Sequence, residues 1–335
     1  MPRFSVSDHC DGERFFNPHA VAGRAFADIV KWMRTRERVP WPHAVPLGRH
    51  DPPPTSVAPG RVAITLIGHS TFLVRTASMT LITDPVFTTH AGPYGRTGPA
   101  RVRPPALQPS ALPPIDLVLL THNHYDHLQP LSLALFAGRS AFVAPLGLQG
   151  MLPPERGHDA ASGSSRKNYE LDWWQRVNIH GAEITCVPAQ HFSSRTPWDR
   201  NQTLWCGFVI SVDGVTVYFA GDTGYTPQFA EIAARFESID AALLPIGAYE
   251  PRWFMQPIHM NPEDAVRAHG DLRARVSIGM HFGTFRLTDE GIDDPLRALE
   301  RARAAAGVDP EAFRTLDFGE TVVLPTTRGA RIGAP

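Results

Sequence analysis

Cysteine is scarce in this sequence: three residues in 335, at Cys10, Cys186 and Cys206, with no C-x-x-C pair. A disulfide scaffold is therefore excluded. Lysine is nearly missing, occurring only at Lys31 and Lys167, and 32 basic residues balance 33 acidic ones to a formal charge of −1. That balance argues against a nucleic-acid partner, which would leave a basic footprint. No run of about 18 apolar residues offers a membrane span, and the opening MPRFSVSDHCDGERFFNP lacks the apolar stretch of a signal peptide. The expectation is a soluble, cytoplasmic protein of ordinary globular composition, 43% hydrophobic and 19% charged, rather than a disordered one.

What the chain has instead is histidine, 15 residues, clustered at the ends of expected strands. Residues 1–60 read as an N-terminal arm, broken by Pro18, Pro40, Pro42, Pro46 and Pro52-Pro53-Pro54, with one helix between His19 and Arg38. Phe26, Ile29, Val30 and Met33 fall at i, i+3, i+4 and i+7, which predicts an apolar stripe packed on the domain. A membrane-surface role for that helix, with Arg34, Arg36 and Arg38 toward anionic lipid, is the alternative, and would make the protein peripheral to the inner membrane face.

From Arg61 short β-rich runs take over. Residues 62–67, 72–74 and 80–82 read as strands, the last ending at Thr83-Asp84-Pro85, where proline stops the ladder. Leu117-Val118-Leu119-Leu120 is a continuous apolar run of buried-strand type, and it delivers the chain into Thr121-His122-Asn123-His124-Tyr125-Asp126-His127. A helix over 130–137 and a strand over 141–144 follow. Residues 153–168 have the composition of a mobile surface loop. The second half repeats the outline. A strand over 184–187 leads to His191, an Asp213-Gly214 hairpin leads to Asp222, and after strands over 241–245 and 276–280 the chain reaches His281. Two similar halves predict two sheets packed face to face with helices outside and polar strand ends along one edge. The main domain is expected to span 61–327, and 328–335 (RGARIGAP) reads as a flexible tail.

His122-x-His124-x-Asp126-His127 packs four metal-competent side chains into six positions, mounted on a loop that a buried strand holds rigid. Borderline divalent metals accept imidazole nitrogen and carboxylate oxygen, and a catalytic site needs about three protein ligands and an open position. Six positions cannot close two such sites, so His191, Asp222 and His281 are candidates to complete the set. His69, between two strands, is placed equally well as a structural histidine; His9, His180 and His269 read as ordinary.

In that order and spacing these residues resemble the metallo-β-lactamase fold superfamily in its dinuclear hydrolase form. The resemblance implies an α/β, four-layer αββα sandwich with two zinc ions at one edge, manganese or iron being the alternatives. It implies that His122, His124 and His191 hold one ion, that Asp126, His127 and His281 hold the other, that Asp222 bridges them, and that Asp84 orients a ligand imidazole. The stretches Glu170-Leu171-Asp172-Trp173-Trp174, Phe219-Ala220-Gly221-Asp222-Thr223-Gly224-Tyr225 and Pro245-Ile246-Gly247-Ala248-Tyr249-Glu250-Pro251-Arg252-Trp253-Phe254-Met255 look like the N-acyl-phosphatidylethanolamine-hydrolysing phospholipase D family and its bacterial members. That likeness implies a catalytic role for His259 beside Asp126 and Asp222, a phospholipid or other small ester as substrate, and a homodimer. Tyr249, Glu250, Arg252, Trp253 and Phe254 are candidates for the substrate side, with core packing the competing expectation for Trp253 and Phe254. Lactonase, phosphotriesterase and cyclic phosphodiesterase chemistry remain alternatives on the same ligands, and a non-catalytic metal- or lipid-binding module is a further one. A diiron redox protein fits less well, because His124 stands where those of this fold usually carry a carboxylate and no flavodoxin-sized extension is present.

Overall fold

A computed structural model describes residues 2–19, 26–155 and 167–326. The expected start of the arm helix, the centre of the expected loop at 153–168 and the tail at 328–335 lie outside the described residues.

Among the described residues, fourteen strands form two sheets. In chain order they are β1 (Arg61–Gly68), β2 (Thr71–Arg75), β3 (Thr80–Thr83), β4 (Leu117–Leu119), β5 (Ala141–Pro145), β6 (Asn168–Leu171), β7 (Arg176–Ile179), β8 (Ala182–Val187), β9 (Gly207–Val212), β10 (Val215–Phe219), β11 (Ile239–Pro245), β12 (Ala274–Met280), β13 (Phe313–Arg314) and β14 (Thr321–Pro325). The sheets run β14-β1-β2-β3-β4-β5-β6 and β13-β12-β11-β10-β9-β8-β7. Each has an antiparallel portion and a parallel portion, β3 to β6 in the first and β10 to β13 in the second. The helices are α1 (Phe26–Thr35), α2 (Pro130–Leu133), α3 (Gln228–Arg235), α4 (Arg252–Met255), α5 (Pro262–Leu272) and α6 (Asp294–Ala306).

The layering follows from strand parity. Successive side chains of a strand point to opposite faces, and the first sheet has apolar residues on both. Leu117 and Leu119 join the core between the sheets, whereas Val118 and Leu120 join a second cluster with Leu133 and Phe136 on the outer face. Phe72 and Val74 divide from Leu73 in the same way. On the far side, Phe229 and Ile232 of α3 and Ala265, Ala268 and Leu272 of α5 pack onto the second sheet. The result is the expected αββα order. Parallel strands bring their C-terminal ends to one edge, so the loops after β4, β10 and β12 emerge together.

The arm is more tightly held than its prolines suggest. Phe15 is buried in the main core. His9 stacks on Trp173 at 4.3 Å, and its ring bonds Asp8 at 2.6 Å and Asp172 at 2.7 Å. Helix α1 docks through part of the expected stripe: Ile29 and Val30 are half-buried, Met33 is exposed, and Trp32 adds a contact, stacking on Phe254 at 4.9 Å and donating to Asp289 Oδ2. An aromatic ring with a polar edge spans more of that boundary than the thioether does. Among the described residues, no helix is long and apolar enough to cross a membrane.

Candidate metal centre

The strand ends converge. β4 carries His122, His124, Asp126 and His127 to the edge of the sandwich, β8 leads to His191, β10 to Asp222 and β12 to His281. Two groups of donor atoms result, each within 4.8 Å: His122, His124, His191 and Asp222, and His69, Asp126, His127 and His281. In the first, His124 Nδ1 lies 2.9 Å from His122 Nε2 and 3.1 Å from His191 Nε2. In the second, Asp126 Oδ2 lies 3.1 Å from His69 Nε2, 3.3 Å from His281 Nε2 and 3.6 Å from His127 Nε2.

Asp222 joins the groups. Its Oδ2 stands 3.8 Å from His191 Nε2 and 3.9 Å from His122 Nε2, and 3.1 Å from His281 Nε2 and 3.2 Å from His127 Nε2. Gly221 makes that position reachable. It has φ +60, and a Cβ there would come within 2.7 Å of the Thr121 side chain, so only glycine lets the two loops close.

Outer hydrogen bonds decide which nitrogen of each ring faces inward. His127 Nδ1 donates to Asp84 Oδ2 at 2.7 Å. Thr121 Oγ1 donates to Asp84 Oδ2 and so accepts from His122 Nδ1 at 2.9 Å. His191 Nδ1 donates to the Ile258 carbonyl at 2.9 Å. A proton held on the outer nitrogen leaves a lone pair on the inner one. Three such rings therefore turn Nε2 toward two carboxylates in a buried space, where positive charge is needed to balance them. The donor set, imidazole and carboxylate, suits zinc and its neighbours.

The electrostatics agree. Burial, reinforced by neighbouring imidazoles, holds His122 well below the ordinary histidine value, and His124 at about 3. Burial also lowers His191 to about 4. These rings are neutral, the form that ligates a metal. For His127 and His281 burial works the same way, but Asp222 and Asp126 outweigh it, raising His127 well above the usual range and His281 to about 9. Both carboxylates, despite burial, are held well below theirs by His127 and His281. Without a metal, two protons thus sit where cationic charge belongs.

His259 lies against this centre, its ring 5.0 Å from that of His191 and 5.5 Å from that of His281. Its Nδ1 is buried without a hydrogen bond, and a ring nitrogen groups with Asp222 and His281. Arg252 ties this segment down, donating to the His259 carbonyl at 2.9 Å and to Asp264 Oδ2 at 2.6 Å. Asn261 and Asp264 close a capping box at the start of α5, which fixes the entry of the helix behind His259.

The expected substrate residues divide. Arg252 is engaged as described. Phe254 is packed under Trp32 and buried, so its substrate-side expectation gives way to packing. Tyr249, Glu250 and Trp253 line a separate cavity that none of the clustered histidines and aspartates lines. Sequence reasoning left His69 undecided, and the structure sets it in the second group. The available signal was Gly68-His69 at a strand end, where His69 takes a left-handed φ of 58. Asn17 also went unrecognised: its Nδ2 donates to the His191 carbonyl at 2.8 Å and its Oδ1 accepts from Trp205 Nε1.

Comparison with known proteins agrees with this geometry. Residues 80–282 match the family model described as beta-lactamase superfamily domain. A protein of Mycobacterium tuberculosis (strain ATCC 25618 / H37Rv) is 40% identical over 257 residues, 75% of this chain and 65% of its own length. The chain thus spans less than two thirds of that relative. N-acyl-phosphatidylethanolamine-hydrolyzing phospholipase D 1 of Caenorhabditis elegans is 36% identical over 266 residues, covering 76% of this chain and 74% of that protein. Among solved structures, a metallo hydrolase from Ignicoccus hospitalis matches with TM-score 0.56 and 25% identity, over 78% of this chain and 98% of its own. A possible metal-dependent hydrolase from Veillonella parvula, 16% identical, shares the fold with TM-score 0.60 over 78% of this chain and 98% of its own.

Proposed function

The chain belongs to the beta-lactamase superfamily domain family, and from that membership we propose that it is a dinuclear zinc hydrolase that cleaves a phosphodiester. The substrate class is an N-acyl-phosphatidylethanolamine-type phospholipid, split into phosphatidic acid and an N-acylethanolamine. One observation carries the dinuclear reading: a single oxygen, Asp222 Oδ2, lies within 3.9 Å of imidazole nitrogens from both groups. The phospholipase name of the Caenorhabditis relative supports the lipid substrate, as does the family resemblance of the block from Pro245 to Met255.

His122, His124 and His191 would hold one ion and Asp126, His127 and His281 the other, with Asp222 between. Bound cations supply a water activated at neutral pH and neutralise charge developing on phosphorus. The protein's own part is to turn the inner nitrogens of His127, His122 and His191 toward the centre, through Asp84, Thr121 and the Ile258 carbonyl, and to exclude bulk water by burial. His259, which burial keeps neutral and whose Nδ1 is unpartnered among the described residues, is placed to hydrogen-bond a phosphoryl oxygen.

The test is metal analysis paired with a substrate panel of N-acyl-phosphatidylethanolamine, simple diesters, phosphotriesters and lactones. Two equivalents of zinc and preferred turnover of the lipid are expected. Lactone turnover far above lipid turnover would overturn the substrate assignment.

A further inference from the structure

Arg195, which follows His191 closely in the chain, reaches across to the loop after β4. Its Nη1 donates to the Asn123 carbonyl at 2.6 Å and to the Leu128 carbonyl at 2.8 Å. Those two oxygens bracket His124, Asp126 and His127. Asn123 and Leu128 are both buried, and a buried carbonyl needs a donor. A single nitrogen that serves both ends of the loop also sets the distance between them.

Further contacts fix Arg195 itself. Its guanidinium lies over the Tyr125 ring, 3.9 Å from the centroid, and the Tyr125 hydroxyl donates back to the Arg195 carbonyl at 3.3 Å. The backbone around it is held from both sides. Asp199 Oδ1 accepts the N–H groups of Arg195 at 3.0 Å and of Thr196 at 2.8 Å, while Asn123 Oδ1 accepts that of Ser194 at 2.9 Å. A planar guanidinium stacked on an aromatic ring loses little freedom when it donates, and bonds from a cation to a carbonyl are stronger than those between neutral groups. None of these contacts involves a donor atom of the metal centre; all act on the chain that carries those atoms.

We propose that Arg195 is a positioning residue of the metal centre: by holding both ends of the loop it fixes the spacing of His124, Asp126 and His127, and it ties that loop to the segment bearing His191. The proposal rests on the reading of these side chains as a metal centre. Ligand atoms have to be kept within about 0.5 Å of the productive geometry by the groups behind them. Asp84, Thr121 and the Ile258 carbonyl orient individual rings, whereas Arg195 sets the backbone from which three donors project.

Zinc affinity by chelator competition, together with the visible absorption of the cobalt-loaded full chain, tests it. Arg195→Met keeps the stem but removes the donors and the charge. Its zinc affinity should fall about 10- to 100-fold, as loss of an outer support does, and its cobalt bands should shift at saturating metal. Arg195→Lys keeps a cationic donor nitrogen without the planar stack, and should fall in between, about threefold to tenfold below wild type. A role confined to folding would lower the thermal midpoint of the metal-free variants while leaving zinc affinity and cobalt spectrum at their wild-type values, and that result overturns the proposal. Should Arg195→Met fail to fold, Arg195→Lys decides by the same two readouts. Wild-type protein that binds no divalent cation overturns the metal reading and this assignment together; wild-type protein that binds zinc beside unaltered variants overturns this assignment alone.

Discussion

Asp84 and His127, 43 residues apart in the chain, meet at 2.7 Å with both side chains wholly buried. The carboxylate accepts from the imidazole Nδ1, from the Thr121 amide at 2.8 Å and from the Thr121 hydroxyl at 2.6 Å. Asp84 thus sets the protons of His127 directly and of His122 through Thr121. In Asp84→Asn an amide NH2 confronts donors where an oxygen accepted. Affinity for a divalent cation should fall about 10- to 100-fold, the usual effect of removing such a support, as measured by chelator competition. Unchanged affinity would mean that the ring is oriented by packing alone.

Asp222 offers one oxygen to both groups. Asp222→Ala should reduce bound metal to one equivalent or less by elemental analysis of the dialysed protein. Retention of two equivalents would break the dinuclear reading.

His259→Ala should leave metal content intact and lower kcat by about 10²- to 10³-fold, the range for loss of a hydrogen-bond donor to developing charge. Full activity with both metals present would remove His259 from the reaction.

His9 gives a pH dependence away from the metal centre. Burial opposes its charge, but hydrogen bonds to Asp172 and Asp8 outweigh that and hold its pKa above the ordinary value. A raised folded-state pKa contributes stability fully below the unfolded value, about 6.5, and loses it as pH rises through the folded value. Between pH 5.5 and pH 8.5 the wild-type thermal midpoint should therefore fall more than that of His9→Gln. Parallel curves would show that His9 carries no linked proton.

Local features were readable from the residues themselves. His122 to His127 lie within six positions, and the buried run before them could only be a strand end; the Asp213-Gly214 hairpin and the two-sheet outline were equally local. What escaped depends on partners far along the chain. His69 gained meaning only when β1 brought it 3.1 Å from Asp126. Met33 looked like part of a docking stripe, yet it stays exposed and Trp32 adds a contact, because Phe254 waits opposite it. Tyr249, Glu250, Arg252, Trp253 and Phe254 read as substrate-side candidates, with core packing competing for the last two; in the fold they divide among a cavity, a helix tether and the core.

By itself the amino-acid sequence determined the chemistry available: imidazole and carboxylate donors at the ends of strands whose arrangement in two similar halves already pointed to two sheets. Only the tertiary structure decided which nitrogen of each ring turns inward and which oxygen is shared. Those choices rest on hydrogen bonds that span 43 residues from Asp84 to His127 and 67 from His191 to Ile258, and such pairings exist only once the sheets have packed.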